Sequence, residues 1–273
     1  MTPLNQFNQL FLKKIRIKKM NFIGIIPSRY QSTRFPGKSL ADIGGKTMIQ
    51  RVYEQAQKAM DEVWVATDDD RIVEAVKGFG GNVVMTSTNH RSGTDRCAEA
   101  ALKVAEKTGK KYDVVVNIQG DEPFMQPHEI ELIRDCFTKS ENTEIATLIQ
   151  PILVNEDIFK PVMVKVVLDK DSNAIFFSRA PIPHIFGVEE SKWLESYPFF
   201  GHVGLYAYKF SVLQELSKLT EVLVEKVESL EQLRWLENGY KIKTNITDSD
   251  NFGIDTPEDL AKVLADGIEK YYR

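Results

Sequence analysis

The chain has few cysteines and no long apolar run. Among its 273 residues only Cys97 and Cys136 are cysteines, and they lie far apart without the spacing of a metal-binding motif. This excludes a disulfide framework and predicts buried free thiols in a reducing cytosol. No stretch approaches the length of a transmembrane helix, and the basic segment 1–19 lacks the apolar core and cleavage site of a signal peptide. The sequence therefore predicts a cytoplasmic protein with no membrane partner.

An excess of positive charge is also missing. The 35 lysines and arginines are outnumbered by 39 acidic residues, and the net charge is −4. This balance excludes a general binder of nucleic acid or of membrane surfaces. Residues 1–20 are interpreted as an N-terminal arm, either disordered or an over-long start assignment, and residues 21–273 as a single domain with a substantial core.

In the first half of the chain, short β-branched runs alternate with helical patterns. This alternation predicts a Rossmann-like α/β fold with a mostly parallel sheet, in which ligands bind at the carboxyl ends of the strands. The predicted strands are 22–26, 63–67, 82–86, 113–118 and 145–149, and the predicted helices are 46–60, 70–79, 94–107 and 127–138.

From about residue 151 the alternation of strand and helix patterns stops. Apolar runs at 163–169, 174–186 and 202–209 follow one another without long helices, which predicts a smaller, inserted antiparallel layer over 151–208. A helix over 221–238 is expected to end at Gly239, because glycine favours the position after a helix end. A strand at 240–246 and a helix at 256–271 complete the prediction.

The loop after the first predicted strand carries several cations. Its end resembles a P-loop, but Ser32 stands where that motif needs its first glycine, and a second candidate fails in the same way at Leu40. What remains is a loop whose backbone N–H groups and side chains can face a polyphosphate, with a solvated basic turn as the alternative. Its candidate nucleotide-binding residues are Arg29, Arg34 and Lys38.

Two aspartates are candidate Mg²⁺ ligands. Asp121 follows the fourth predicted strand within QGDEP, where a carboxylate beside phosphates suits a hard cation, although an ordinary turn before a helix has the same pattern. Asp255 precedes Thr256, a good helix N-cap, and the cap itself does not account for Asp255. Paired carboxylates near a cationic loop are typical of phosphoryl or nucleotidyl transfer.

A third candidate loop contains Ser92, Gly93 and Thr94. It follows the third predicted strand, and its side chains either cap the next helix or hydrogen-bond a base, capping being the more common role of a single such motif.

Eight segments, taken in order, resemble the 3-deoxy-manno-octulosonate cytidylyltransferases, also called CMP-Kdo synthetases. The resemblance extends from about residue 22 to 265. The segments are PSRYQSTRFPGK, ATDDDRI, HRSGTDR, NIQGDEP, FSRAPIP, HVGLYAY, ESLEQLR and GIDTPEDL.

The resemblance implies a glycosyltransferase-A-type nucleotidyltransferase fold and a homodimer built through the central insertion, which would also bind the sugar. The implied reaction converts CTP and 3-deoxy-manno-octulosonate (Kdo) to CMP-Kdo and diphosphate. It would depend on Mg²⁺, take place in the cytosol and supply lipopolysaccharide biosynthesis.

The resemblance also implies roles for individual residues. Lys38, Arg29 and Asp121 would be catalytic, and Asp121 and Asp255 would bind the metal. Arg29 and Lys38 would bind the CTP phosphates, and Gln119 and the 92–94 turn would face the cytosine. The sugar-binding residues would be His202, Tyr206, Glu231 and Gln232, with Arg179 nearby. From the residues alone, a core histidine is the favoured interpretation of His202, and a surface cap is the favoured interpretation of Gln232.

The sequence departs from the family pattern in two places. Ser28 and Ser39 stand where many relatives carry alanine and proline. Within 181–190, many relatives have a tryptophan followed by charged residues including an arginine, and His184 begins a different run here. This leaves open 8-amino-Kdo or another 2-keto sugar acid as the acceptor. A polyol phosphate as acceptor would need additional cationic residues to bind its phosphate. The alternative from a different functional class is a catalytically silent nucleotide-binding scaffold.

Overall fold

The computed structural model describes residues 20–32, 34–249 and 252–272. The predicted arm, apart from Met20, lies outside the described residues. Within the described part, no helix combines the length and apolarity needed to cross a bilayer.

Within the described ranges, nine strands form one sheet. Seven of them lie side by side in the order β3-β2-β1-β4-β8-β5-β9, and β6 and β7 form a hairpin that joins through β6 to β8. The strands are β1 (Phe22–Pro27), β2 (Val63–Thr67), β3 (Val83–Met85), β4 (Val114–Asn117), β5 (Ile145–Pro151), β6 (Lys165–Leu168), β7 (Ala174–Ser178), β8 (Phe200–Lys209) and β9 (Ile242–Ile246).

The main sheet is mostly parallel, as predicted. Strands β1 to β4 pair in parallel, as do β5 and β9, and β8 runs antiparallel between β4 and β5. Strand β8 was assigned to the 151–208 insertion, so the end of that segment lies within the central sheet. The β6–β7 hairpin and a small apolar cluster around Trp193 and Phe199 form the part outside it.

Helices cover both faces of the sheet. Ile23 and Ile25 of β1 pack into one apolar cluster and Ile26 into another on the opposite face, as the alternation of side chains along a strand requires. The helices are α1 (Met48–Gln57), α2 (Asp70–Gly78), α3 (Gly93–Thr108), α4 (Pro127–Thr138), α5 (Trp193–Ser196), α6 (Phe210–Leu216), α7 (Leu223–Glu228), α8 (Gln232–Glu237) and α9 (Pro257–Asp266). Cys97 of α3 and Cys136 of α4 are buried free thiols, as predicted.

The prediction of one helix over 221–238 is wrong. Ser229 adopts a left-handed φ of 52°, which ends α7, and the chain restarts as α8. The Leu230 N–H donates to the Glu225 carbonyl and closes the break. The predicted end is confirmed, because Gly239 has φ 86°, a conformation that glycine adopts without steric cost.

Two other predicted elements are shorter than expected. The strand predicted over 174–186 ends at Ser178, where the backbone N–H of Arg179 turns to the Glu228 carboxylate and the prolines beyond cannot donate to a sheet. The helix predicted over 256–271 ends at Asp266, because Gly267 with φ 85° breaks it before a 3₁₀ turn at Ile268–Tyr271.

Candidate active site

A cleft of about 320 Å³ opens at the carboxyl ends of β1 and β4. This is the edge of the sheet where the strand pattern predicts a ligand site. Of the residues predicted to contact nucleotide or metal, all but Thr94 line this one cleft: Arg29, Arg34, Lys38, Ser92, Gly93, Gln119, Asp121 and Asp255.

Internal hydrogen bonds brace the cationic loop at the mouth of the cleft. The Gly37 N–H donates to the Tyr30 carbonyl at 2.9 Å, and Gly37 has the left-handed φ of 73° that precedes the 3₁₀ turn carrying Lys38. The Ser28 and Ser39 hydroxyls, buried 2.7 Å apart, bond one another across the loop. The two small departures from the family pattern in this loop are therefore partners in one contact.

Lys38 lies between the two predicted metal ligands. Its Nζ is 2.7 Å from Asp121 Oδ2 and 3.1 Å from Asp255 Oδ1, and its side chain is only 14% exposed. Arg34 reaches Asp255 from the solvent side at 3.0 Å. The carboxylates thus converge on a positive charge, as a cation-binding pair must.

The backbone fixes the two aspartates side by side. The Ile254 N–H donates to the Asp121 carbonyl at 3.0 Å, which ties the 252–256 segment to the turn after β4. Gly120 allows that turn to press against β1, because a Cβ there would lie 2.9 Å from the Pro27 carbonyl oxygen. Thr256 caps α9 by accepting from the Asp259 N–H, so the predicted cap is confirmed, and Asp255 remains directed to the cleft.

Glu122, next to Asp121, is a half-buried carboxyl group. Desolvation, together with the negative charges of Asp121, Glu129 and Asp255, raises the pKa of Glu122 to about 8. The negative charge facing Lys38 comes from the two aspartates, Asp121 and Asp255.

The start of α3 forms the opposite wall of the cleft. Ser92 is its N-cap, with Oγ accepting from the Asp95 N–H at 3.1 Å, so the capping interpretation is confirmed. Ser92 and Gly93 also line the cleft, together with His90 and Arg91. The positive end of this 16-residue helix therefore faces the same space as the cationic loop.

The predicted sugar-binding residues form a second group, outside the lining of the cleft. His202 and Tyr206 lie along β8 with their rings 5.2 Å apart, and Glu231 and Gln232 lie at the start of α8. Two hydrogen bonds connect the groups: Gln119 Nε2 donates to the Gly204 carbonyl at 3.1 Å, and Thr94 Oγ1 donates to Glu231 Oε2 at 2.8 Å.

The second group contains several buried polar atoms that lack hydrogen-bond partners. The ring of Trp235 in α8 packs edge-on against the rings of Tyr206 and Tyr208. Within the described part of the chain, the unpartnered atoms near this contact are Tyr206 Oη, Tyr208 Oη, Gln232 Nε2 and Trp235 Nε1. Buried polar groups are normally paired, so this region is suited to ordered water or a hydroxyl-rich ligand.

Arg179 is placed differently from the rest of the second group. Its guanidinium donates to the carbonyl oxygens of Pro161, Glu228 and Ser229, and so binds the end of α7 to the loop before β6. These contacts occupy Nε, Nη1 and Nη2.

Comparison with known proteins places the chain. A family model described as cytidylyltransferase matches residues 23–242. A 3-deoxy-manno-octulosonate cytidylyltransferase of Parabacteroides distasonis is 58% identical over 90% of this chain and 98% of its own length, and one of Phocaeicola vulgatus is 54% identical over 90% and 97%. The solved structure of a CMP:2-keto-3-deoxy-manno-octonic acid synthetase complexed with CTP superposes with a TM-score of 0.82 at 40% identity, covering 92% of this chain and 99% of that one.

The chain belongs to this cytidylyltransferase family. The resemblance noted in the sequence is thus confirmed, and so is the prediction that the protein is a nucleotidyltransferase.

Several residues that line the cleft of this cytidylyltransferase were not predicted from its sequence to contact a ligand. Arg96 is the clearest: it is 4% exposed and donates to Thr86 Oγ1 at 2.6 Å and to Asp68 Oδ2 at 2.7 Å. The helical periodicity around Arg96 does not indicate that this arginine faces a cleft. The only signal in the sequence was its position in the HRSGTDR segment. The others are Ser28, Ser32, Ser39, His90, Arg91 and Gly120.

His202 is half-buried and has a lowered pKa, and this has a consequence for acid stability. Desolvation lowers the pKa of His202 from 6.5 to about 4. The unfolded chain therefore binds a proton at a higher pH than the folded one, and this contribution to stability, complete above the unfolded pKa, is lost as pH falls toward the folded pKa. We expect the melting temperature of His202→Gln to fall less than that of the unsubstituted protein when pH is lowered from about 7 to about 4.5. Equal losses in the two proteins would contradict the burial effect.

Proposed function

We propose that this cytidylyltransferase transfers CMP from CTP to Kdo and releases diphosphate, a step that supplies lipopolysaccharide biosynthesis. One observation carries the proposal: three cationic side chains and two convergent aspartates line a single cleft, in a chain 40% identical to a synthetase solved with CTP. The curated relatives are named for the same activity.

The cationic loop would hold the triphosphate. Arg29, Arg34 and Lys38 present donors to phosphate oxygens, and the braced backbone keeps those donors in place before the substrate arrives. The nucleophile would be the anomeric hydroxyl of the sugar acid, so the protein's work is to align that hydroxyl with the α-phosphorus and to offset developing charge. Lys38 is the residue proposed to support charge on the α-phosphate and the leaving diphosphate.

Asp121 and Asp255 are proposed to bind Mg²⁺. The donor set fits a hard divalent cation, because two carboxylates already converge on a single ammonium group. A bound Mg²⁺ would neutralise charge on the phosphates. Since it would compete with Lys38 for the aspartates, Lys38 would then be available to the α-phosphate.

Two further groups of residues are proposed to bind the cytosine base and the sugar acid. Ser92, Gly93 and Gln119 are proposed to contact the cytosine. His202, Tyr206, Glu231 and Gln232 are proposed to bind the sugar acid, a role supported by the unpartnered Tyr206 Oη and Gln232 Nε2. Arg179 is proposed to contribute by shaping the sugar-binding region, because three of its five N–H donors are already bound to carbonyl oxygens.

The function is tested by Mg²⁺-dependent release of diphosphate from CTP with Kdo, 8-amino-Kdo or a sialic acid as acceptor. A rate with Kdo well above the others supports the proposal. Preference for another acid would retain the cytidylyltransferase assignment and change the acceptor. CTP binding without release for any acid would instead support the silent-scaffold alternative.

A homodimer is proposed through the insertion and α7. This region exposes large apolar side chains on neighbouring elements, and Arg179 ties the loop carrying Val162 to the end of α7. Exposed apolar side chains in this number are typical of an interface, and a second copy of the chain is the proposed partner. The side chains are Leu153, Val162, Ile175, Phe176, Phe186, Leu223 and Val227, the last two one helical turn apart.

Substitution of Val227, which is 77% exposed, tests the dimer. We expect the mass measured by light scattering to fall from dimer to monomer in Val227→Glu, because a charge would be buried without a partner. Leu102→Glu is the matched control, since Leu102 is 42% exposed on α3, outside the insertion and α7. An unsubstituted protein that is already monomeric would refute the dimer.

The cytosol is the proposed location, and the two buried free thiols are consistent with a reducing compartment.

A further inference from the structure

Thr94 connects the two halves of the proposed site, although it lines neither the cleft nor a solvent-exposed surface. It is the second residue of α3, directly after the Ser92–Gly93 turn, and is 3% exposed. Its hydroxyl donates to Glu231 Oε2 at 2.8 Å, across a sequence separation of 137 residues. Thr94 thus bonds to Glu231, a proposed sugar-binding residue. It does so from α3, whose first residues are proposed to contact the nucleotide.

Both carboxylate oxygens of Glu231 have partners, and the Ser92 side chain also contributes a hydrogen bond to this carboxylate. Thr94 donates to Oε2, and Arg234 Nη2 lies 3.3 Å from Oε1. Arg234 is itself anchored, with Nη2 at 2.9 Å from Glu225 Oε1 and Nη1 at 2.9 Å from the Leu219 carbonyl. The orientation of the Glu231 carboxylate therefore depends on all its donors.

A carboxylate oxygen accepts more than one hydrogen bond. With its donors each using one acceptor position, Glu231 retains the capacity to accept from a hydroxyl group of a ligand. Among the described residues, Tyr206 Oη on β8 and Gln232 Nε2 on α8 lack hydrogen-bond partners. A rotated Glu231 would still carry charge but would present its oxygens to the wrong place, which weakens hydrogen bonds that depend on direction.

We propose that Thr94 is a positioning residue, which orients the Glu231 carboxylate toward the hydroxyl groups of the acceptor sugar. Through this bond the start of α3, which lines the nucleotide cleft, is connected to acceptor binding. The inference rests on the proposed function, since it assigns Glu231 to the sugar acid. The Thr94 hydroxyl is directed to Glu231, and Thr94 is not among the residues that line the cleft.

The experiment compares steady-state kinetics for both substrates in three variants of the full chain. Thr94→Val is nearly isosteric and removes only the hydroxyl, and Thr94→Ser retains it. We expect the KM for Kdo to rise about tenfold in Thr94→Val, the size of a lost hydrogen bond to a charged group, with the KM for CTP nearly unchanged. Thr94→Ser should restore most of the affinity for Kdo.

Thr108→Val is the matched control. Thr108 lies at the other end of α3, and its hydroxyl donates to the Val104 carbonyl, so the same chemical change is made in the same helix without contact with Glu231. It should leave both KM values unchanged. Melting temperatures of the three variants show whether each is folded, and only folded variants enter the comparison.

Three outcomes would overturn the assignment. Equal changes in the two KM values in Thr94→Val, or failure of Thr94→Ser to restore affinity, would show a structural role alone. If Thr94→Val does not fold, the kinetics of Thr94→Ser and Glu231→Gln decide: a Glu231→Gln variant with an unaltered KM for Kdo removes the reason for positioning that carboxylate. Absence of turnover in the unsubstituted protein with every sugar acid would instead refute the proposed function, and this inference with it.

Discussion

Asp121→Asn is expected to lower kcat about a thousandfold, because a hard cation loses a charged ligand whose contribution amounts to several kcal/mol. The expectation follows from the geometry after β4. Asp121 Oδ2 points at Lys38 Nζ from 2.7 Å, and the backbone of Asp121 accepts the Ile254 N–H that brings Asp255 alongside. An asparagine keeps the size of the side chain and removes its charge, so the effect reports the proposed metal site and not the packing.

The kcat of the Asp255→Asn variant should also fall. Both variants should need more Mg²⁺ to reach half-maximal rate, and Mn²⁺ binding measured without nucleotide should weaken in parallel. Asp61→Asn is the control, since Asp61 is exposed and lies outside the lining of the cleft. An Asp121→Asn enzyme with the unsubstituted rate and Mg²⁺ dependence would remove Asp121 from the proposed metal site.

The cleft was largely predictable from the sequence because its residues follow strand ends. The loop after β1, the turn after β4 and the turn before α3 were recognised from short strands followed by charged or capping residues. Parallel strands bring their carboxyl ends to one edge of the sheet, so local patterns were enough to predict that Arg29, Asp121 and Ser92 share a space.

The second half of the chain was harder to predict because long-range pairing decides it. Nothing local in HVGLYAYK indicates that β8 inserts between β4 and β5, 89 or more residues from its β4 partners. The break at Ser229 depends on a left-handed residue that a helical periodicity does not reveal. The three carbonyl contacts of Arg179 likewise come from segments that only the folded chain brings together.

Lys38→Ala is expected to reduce kcat by about a hundredfold to a thousandfold, the loss seen when one preorganised donor to a developing negative charge is removed. Lys38 is held for this role before substrate binds. Its side chain is 14% exposed, and the loop that carries it is closed by the Gly37–Tyr30 and Ser28–Ser39 hydrogen bonds. Since the proposed contact strengthens as charge develops on the α-phosphate, the KM for CTP should change much less than kcat.

The Lys38→Ala prediction separates transition-state stabilisation from simple attraction of the triphosphate. Lys46→Ala is the matched control, because Lys46 is 44% exposed, pairs with Glu54 and lies outside the lining of the cleft. Stopped-flow or quenched single turnovers with saturating CTP would measure the chemical step directly. If Lys38→Ala raises the KM for CTP and leaves kcat unaltered, Lys38 contributes only to ground-state binding, and the charge on the leaving diphosphate must be supported by Arg29, Arg34 and the proposed metal.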